Sequence, residues 1–313
     1  MTQLISGIGD GSVRYMLLVS HTARAEALEA ALTVCQQLIE AGVIPVMAAE
    51  ERQRVLEFAG SALDIALLYD DVSVSEIDSA IVLGGDGTIL RAAEVLRGAA
   101  APILGVNLGH VGFLAESEKH DLAKATTHLL RGEYTVEERL SLQVWVKHRD
   151  EIVYETWALN EATLEKAARE RMLEVMIEVD ERPLSSFGCD GVIISTPTGS
   201  TAYSFSAGGP IVWPSVEALL VVSLSPHSLF NRPLVVDPGS SIVVEVLDRN
   251  QGDGVLWCDG RRAWDLPQGA RVIVKRSEIP VRLARIADAP FTDRLVNKFH
   301  LPVEGWRGLK RGD

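Results

Sequence analysis

The sequence predicts a parallel α/β sheet in its first half and a mostly β second half. Three observations carry that prediction. Short apolar runs alternate with helical patterns over the first half. Two of those runs end in glycine-bearing turns. From about Leu140 the hydrophobic period falls from helical spacing to two. At 313 residues the chain has room for two domains of ordinary size, and the change of period places their boundary near residue 140.

Residues 1–12 carry Gly7, Gly9 and Gly11 ahead of any periodic segment. Gly7-Ile8-Gly9 precedes the first strand instead of following it, so it fails the context of a dinucleotide fingerprint and reads as a tail. Tyr15–Ser20 is a buried strand. Thr22 caps a helix whose stripe is Leu28, Leu32, Cys35 and Ile39, closed by Gly42. Ile44–Ala48 is a second strand and Arg52–Ala59 a short helix. Ala80–Leu83 is a strand running into Gly84-Gly85-Asp86-Gly87, after which Ile89, Leu90, Ala93 and Leu96 give one face of a helix over Thr88–Arg97. Pro102–Val106 is another strand, ending at Asn107-Leu108-Gly109-His110-Val111-Gly112-Phe113; His110 is a ligand candidate or a solvated loop residue. A ligand is expected at the carboxyl ends of these strands, where both glycine turns lie.

In the second half Leu142, Val144 and Val146 alternate with polar residues, as do Leu173, Val175, Ile177 and Val179, and Ile242, Val244 and Val246. Val255–Cys258 and Val272–Val274 add short strands. Turns are expected at Asp180-Glu181-Arg182-Pro183, Asp237-Pro238-Gly239 and Asp248–Gly254. Thr292–Phe299 has a helical pattern with Leu295, Val296 and Phe299 on one side.

The Gly84–Gly87 turn is a phosphate cradle in form. Glycine admits close approach of an anion, and the first free N–H groups of the following helix point at it. Gly84, Gly85 and Thr88 form the cradle. A carboxylate, Asp86, inside it is odd for a pure anion site. It reads as a metal contact, a sugar-hydroxyl contact or a base, or else as an ordinary helix N-cap.

Composition narrows the classes. A formal charge of −13 argues against a broad nucleic-acid or anionic-membrane footprint, though not against a phosphorylated substrate in a local pocket. Cys35, Cys189 and Cys258 are odd in number and widely spaced, which suits a reducing compartment and offers no zinc site. The N-terminus lacks the pattern of a signal peptide, and Ala218–Leu224 is far short of a membrane span, so a cytoplasmic protein is expected.

Three further constellations carry polar chemistry. Gly188-Cys189-Asp190-Gly191, a strand over Val192–Ser195, and Thr196-Pro197-Thr198-Gly199-Ser200-Thr201-Ala202-Tyr203-Ser204-Phe205-Ser206-Ala207-Gly208 form the densest. Its hydroxyls are suited to many hydrogen bonds with a polar ligand, and Ala202–Ala207 reads as a short helix presenting Tyr203. Asn160-Glu161 ends an apolar run; the amide matches an adenine edge and the carboxylate a pair of ribose hydroxyls. Trp257-Cys258-Asp259-Gly260-Arg261-Arg262 reads as a plain Asp-Gly hairpin turn, with Arg261 left as a contact candidate. There is no Walker P-loop, kinase HRD or DFG element, nucleophile elbow, His-Glu-x-x-His or EF-hand spacing.

Gly-Gly-Asp-Gly-Thr at 84–88, Asn160-Glu161 and Asp190-Gly191 followed by Thr-Pro-Thr-Gly-Ser-Thr-Ala-Tyr at 196–203, in this order, resemble the NAD kinases. The likeness runs from about residue 14 to the tail at Trp306 and looks closest to the actinobacterial members. The first turn is shared with lipid kinases and, more loosely, phosphofructokinases, whereas the Thr-Pro-Thr-Gly-Ser-Thr-Ala-Tyr run is specific.

The resemblance implies a Rossmann-like N-terminal domain over 1–140, with segment 292–313 packing back on it, and a β-rich, β-sandwich-like NAD-binding domain over 141–291. It implies transfer of phosphoryl from ATP, or from polyphosphate, to the 2′-hydroxyl of the adenosine ribose of NAD. It makes Asp86 the catalytic residue. NAD would be held by Gly87, Arg91, Asn160, Glu161, Asp190, Thr201, Ala202, Tyr203, Ser204, Phe205 and Ser206, with Arg171 and Gly188 peripheral. Relatives often carry Gln where this chain has Arg261. Mg²⁺ or another divalent metal would arrive with ATP, with no dedicated protein cage. A homodimer or homotetramer is implied. Two alternatives are a lipid kinase of diacylglycerol type, which needs an apolar acyl slot, and a non-catalytic NAD(H) sensor.

Overall fold

The computed structural model describes residues 13–21, 24–109, 112–248, 252–286 and 290–303. The glycines of the first twelve residues, the Thr22 cap, His110 and the stretch from 304 to the end, Trp306 included, lie outside the described residues. The chain divides into two compact units, residues 1–138 with 282–313 and residues 139–281.

The first unit opens with β1 (Arg14–Ser20), α1 (Ala25–Glu40), β2 (Val43–Met47), α2 (Ala49–Ala59), β3 (Ala66–Leu67), β4 (Ile77–Leu83), α3 (Asp86–Val95) and β5 (Ile103–Asn107). It continues through β6 (Ser117–Glu118), α4 (Leu122–Arg131) and β7 (Thr135–Arg139). The second contains β8 (Leu142–His148), β9 (Glu151–Ala158), β10 (Glu161–Lys166), β11 (Leu173–Val179), β12 (Arg182–Cys189), β13 (Gly191–Ser195) and α5 (Tyr203–Ser206). It closes with β14 (Leu219–Leu224), β15 (Leu234–Val236), β16 (Ile242–Val246), β17 (Gly254–Cys258), β18 (Arg262–Leu266) and β19 (Arg271–Arg276). The chain then returns to the first unit as β20 (Val281–Arg285) and α6 (Phe291–Phe299).

The first sheet has the order β3-β2-β1-β4-β5-β20-β7, with β6 paired to β5. The pairs from β3 through β5 to β20 are parallel. Strand order reverses between β1 and β4, the switch point at which open α/β sheets bind ligands. β4 and β5 read as continuous apolar runs because both faces are covered. On α1 the buried stripe is Ala27, Ala30, Ala31, Val34, Cys35 and Leu38, about one position off the stripe that the leucines suggest. Alanines on that stripe let the helix lie close to β2 and α4, while Leu28, Leu32 and Ile39 fall on its margin.

The second unit is a sandwich of two six-stranded sheets, β15-β14-β13-β10-β17-β18 and β12-β11-β16-β19-β8-β9, antiparallel at every described pair. Alternating residues fill its core: Val144, Val175, Val244 and Val272 from one sheet against Leu164, Val192, Val221 and Leu256 from the other. The expected turn at Asp180-Glu181 is a two-residue hairpin joining Val179 to Arg182, with both turn residues at positive φ (51° and 64°). Strands β9 and β12 are absent from the periodic reading because they are outer strands. Their burial is irregular, so their sequences carry no clean alternation.

Candidate active site

β4 ends at Leu83 and the chain turns through Gly84 and Gly85 into α3, whose first residue is Asp86. A Cβ at Gly84 would lie 2.5 Å from Thr88 Oγ1, so only glycine lets the threonine close over the turn. Gly85 is the N-cap residue and no side chain caps the helix. The N-cap reading of Asp86 is therefore set aside, because its carboxylate is used elsewhere. Asp86 Oδ2 accepts the N–H of Phe113 (3.0 Å) and Oδ1 accepts that of Leu114 (3.1 Å). A Cβ at Gly112 would meet Asp86 Oδ1 at 2.3 Å, so the segment at 112–114 lies directly against the carboxylate. Each oxygen keeps a lone pair for a further donor.

Arg91, one turn further along α3, reaches the carboxyl end of β1. Its Nη2 donates to Ser20 O (2.9 Å) and to Glu51. It lines a cleft of about 300 Å³ with His21, Glu50, Glu51 and Arg54 over an apolar floor of Leu17, Val19 and Leu68. Burial lifts the Glu51 carboxyl to about 7 despite the Arg91 charge beside it.

In the second unit the site is built at one end of the sandwich, where β10 follows Leu159-Asn160. Asn160 and Glu161 are buried. Thr196 clamps the bend, donating its hydroxyl to Leu159 O (2.6 Å) and its N–H to Asn160 O (2.9 Å). A Cβ at Gly199 would lie 2.0 Å from Asn160 O, so this glycine is needed for backbone on backbone approach. One Glu161 oxygen accepts the Tyr203 N–H at the start of α5, while Oε2 is buried without a partner. Burial, with the Asp259 charge adding to it, raises the Glu161 carboxyl to about 8.

The hydroxyl-rich run behaves differently from its sequence reading. Thr196, Thr198 and Ser200 are buried, and Thr196 and Ser200 donate their hydroxyls to backbone carbonyls of Leu159 and Pro197. Thr201 likewise donates to Thr198 O. These donations shape the loop, because hydroxyls near a kinked backbone satisfy it locally. What the loop exposes is Tyr203 and Phe205 on α5, both about two-fifths exposed, and Ser206 at its last position, with Ser204 buried beneath and Ala202 half-buried at its N-cap.

Asp190 forms an ion pair with Lys166 (2.5 Å), and this hydrogen bond together with that to Ser225 holds its carboxyl below the usual range. Gly188 carries Met172 against it, since a Cβ there would sit 2.6 Å from the sulfur, and its carbonyl accepts the His227 N–H. Arg171 is exposed nearby, against Gly252. The Asp-Gly hairpin forms as expected, but Asp259 is more than a turn residue. Its buried carboxylate binds the Leu159 and Asn160 amides and pairs with Arg262 (2.9 Å), which lies over the Trp157 ring. Arg262, not its exposed neighbour Arg261, is the arginine built into this end of the sandwich. The Asp-Gly turn marked Asp259 and Arg262 only as hairpin residues and nothing marked Lys166, because their partners at Trp157, Leu159, Asn160 and Asp190 lie far away in the chain.

The three cysteines are free thiols, buried and pushed up to about 12. Among the described residues no group of three or more His, Cys, Asp or Glu is placed to hold a metal ion, and no helix is long and apolar enough to cross a membrane.

Two family models match: the ATP-NAD kinase N-terminal domain over residues 16–134 and the ATP-NAD kinase C-terminal domain over 159–286. The NAD kinase of Leifsonia xyli subsp. xyli is 63% identical over 295 residues, covering 94% of this chain and 97% of its own. The NAD kinase of Thermobifida fusca is 53% identical over 305 residues, covering 96% and 93%. Among solved structures, yeast NADH kinase complexed with NADH superposes with a TM-score of 0.83 at 24% identity, covering 98% of this chain and 92% of that one. An NAD kinase from Archaeoglobus fulgidus in complex with ATP gives 0.69 at 23%, covering 92% and 99%.

Proposed function

The chain belongs to the ATP-NAD kinase family, and on that premise we propose how its residues divide the work of phosphorylating NAD. The activity is that of an NAD kinase: a phosphoryl group passes from ATP to the 2′-hydroxyl of the adenosine ribose of NAD, giving NADP. Neither alternative, a lipid kinase or a non-catalytic sensor, finds support beside full-length relatives of this identity.

Asp86 is assigned to the 2′-hydroxyl. Two amides fix its carboxylate at the start of α3, and its remaining lone pairs are acceptors for a hydroxyl; this observation carries the reading. Phosphoryl transfer runs through a loose transition state, so orienting the nucleophile and neutralising charge matter more than a strong base. Gly84, Gly85 and Thr88, with the helix N–H groups near Gly87, are assigned to the phosphates.

Asn160, Glu161 and the Thr201–Ser206 segment are assigned to NAD. The unpartnered Glu161 Oε2 supports this, since a buried oxygen without a donor is costly until a ligand hydroxyl or amine supplies one. Asp190 joins them, held in place by Lys166. Gly188 and Arg171 are given peripheral roles, and Arg91, which lines a cleft at the end of β1, is assigned to NAD with Gly87. When bound, Mg²⁺ or another divalent ion on the ATP phosphates supplies charge neutralisation at the transferring group; such ions keep phosphate and water oxygens in preference to protein cages. Polyphosphate is proposed as a second donor for the same cradle. A cytoplasmic homodimer or homotetramer completes the proposal.

The test is incubation with NAD, ATP and Mg²⁺, read by a reducing enzyme that accepts only NADP. Formation of NADP is expected, with polyphosphate as a second donor arm. ADP released without NADP overturns the assignment.

A further inference from the structure

Five backbone groups of the segment that grips Asp86 have side-chain partners. The amides of Phe113 and Leu114 go to the Asp86 carboxylate. The carbonyls of Phe113, Leu114 and Ala115 go to two arginines. Arg294 Nη1 donates to Phe113 O (2.9 Å) and Ala115 O (3.1 Å), and Arg285 Nη1 donates to Leu114 O (3.1 Å). Both guanidinium groups also bind the fully buried Glu116, at 2.8 Å from Arg294 and 2.9 Å from Arg285, and Arg285 is further paired with Glu137.

One peptide group stands out in this arrangement. The carbonyl of Phe113 and the N–H of Leu114 belong to the same planar unit. Its oxygen accepts from Arg294 while its N–H donates to Asp86 Oδ1. A cation at the oxygen polarises the unit and strengthens the bond at its other end. It also fixes the plane: a flipped peptide would aim a carbonyl at the carboxylate and take one of its backbone acceptors from Arg294. Arg294 stands on α6, a helix of nine residues, too short to hold itself together in water. Its anchorage is aromatic, with Phe113 packed between Phe291 and Phe299 at centroid distances of 6.0 and 5.8 Å.

We propose that Arg294 is a positioning residue for phosphoryl transfer, acting through the Phe113–Leu114 peptide to hold the Asp86 carboxylate in its working orientation. The proposal rests on the assignment of Asp86 to the reacting hydroxyl. It places a requirement for turnover in a helix some 180 residues away in sequence.

The experiment compares wild type with Arg294→Ala, Arg294→Gln and Arg294→Lys. For Arg294→Ala the expected result is a fall in kcat of about tenfold to a hundredfold, with the KM for NAD within about twofold, since misplacing a reacting group by a fraction of an ångström costs that much. Arg294→Lys recovers part of the loss, because an ammonium can meet one carbonyl and Glu116 but not the forked set. Added guanidinium ion recovers part of it in the alanine variant, which a purely structural defect would not show. Hydrogen exchange gives an arm independent of activity: amides over 112–116 exchange at least about tenfold faster in Arg294→Ala, while those of α1 and β10 are unchanged. If the alanine variant does not fold, the glutamine and lysine variants carry the same readings. A kcat within about twofold of wild type in the alanine and glutamine variants, or unchanged exchange over 112–116, overturns the proposal. Faster exchange there with no effect of Asp86→Ala on turnover would retain the strap and remove the role given to Asp86.

Discussion

Asp259 holds Asn160 by its backbone: the Asp259 carboxylate accepts the N–H of Leu159 at 2.9 Å and that of Asn160 at 2.7 Å, across about a hundred residues of sequence. The return bond runs from Asp259 N–H to Glu161 O (3.0 Å). Arg262 completes the unit, bonding Asp259 and Trp157 O while lying on the Trp157 ring. Asn160 and Glu161, assigned to NAD, therefore sit on a clamp made by a hairpin about a hundred residues further along the chain.

Asp259→Asn keeps the shape of the clamp but takes away its charge. An amide nitrogen then faces one of the two N–H donors, and Arg262 loses the charge of its carboxylate partner. A loss of about 2 kcal/mol in unfolding free energy is expected, with the KM for NAD raised about tenfold and kcat nearly unchanged. Denaturant midpoints and steady-state kinetics read both. An unaltered KM would remove the clamp from NAD binding.

Asp86→Ala removes the group assigned to the acceptor hydroxyl. Turnover should drop by roughly a hundredfold to a thousandfold, while the calorimetric affinity for NAD stays within about threefold. A variant retaining near wild-type turnover would sink the assignment.

Gly112→Ala tests the same carboxylate from the other side. The new methyl would sit 2.3 Å from Asp86 Oδ1, and the side chain must move to admit it. Because a single carboxylate can swing, the expected loss of stability is about 1 kcal/mol or less. The expected loss of kcat is about tenfold or more. A large shift in melting temperature with normal kcat would place the strain elsewhere.

Glu161 gives a pH signature. Its carboxyl is raised from 4.5 to about 8, so between these values the folded chain keeps a proton that the unfolded chain has released. Stability from this group therefore falls as pH rises through that window. Glu161→Gln has no proton to lose, so its melting temperature relative to wild type should climb by roughly 5 °C or more from about pH 5 to pH 8. The same variant should bind NAD more weakly. A difference that stays flat across this range would show that Glu161 is not buried in the ionisable state described.

Much of the fold is legible in the chain itself because it depends on periodicity. Apolar runs such as Ile81–Leu83 and Leu104–Val106 are buried on both faces, and the alternation at Leu173, Val175 and Ile177 puts one face in the sandwich core. The outer strands β9 and β12 escape that reading, since partial burial blurs the period; α4 keeps a regular buried stripe at Leu122, Ala125, Thr126 and Leu129, but alanine and threonine at its centre mute it. The α1 stripe slips by about one position because alanine, silent on a hydrophobicity scale, decides where helix and sheet come closest.

The Gly84–Thr88 turn with its carboxylate, the Asn160-Glu161 pair and the family are legible in the chain alone, because each is written in a few adjacent residues with their own backbone requirements. What those residues touch is set by the fold. Whether Asp86 caps its helix or turns to the Phe113 and Leu114 amides depends on a segment brought alongside it by β5. Whether Thr196 meets a ligand or Leu159 O, and whether Asp259 is a turn residue or a clamp, depends on strand pairing. Hydrogen-bond partners far apart in sequence leave no period and no spacing, so the chain names the acceptors and donors while the fold chooses their pairs.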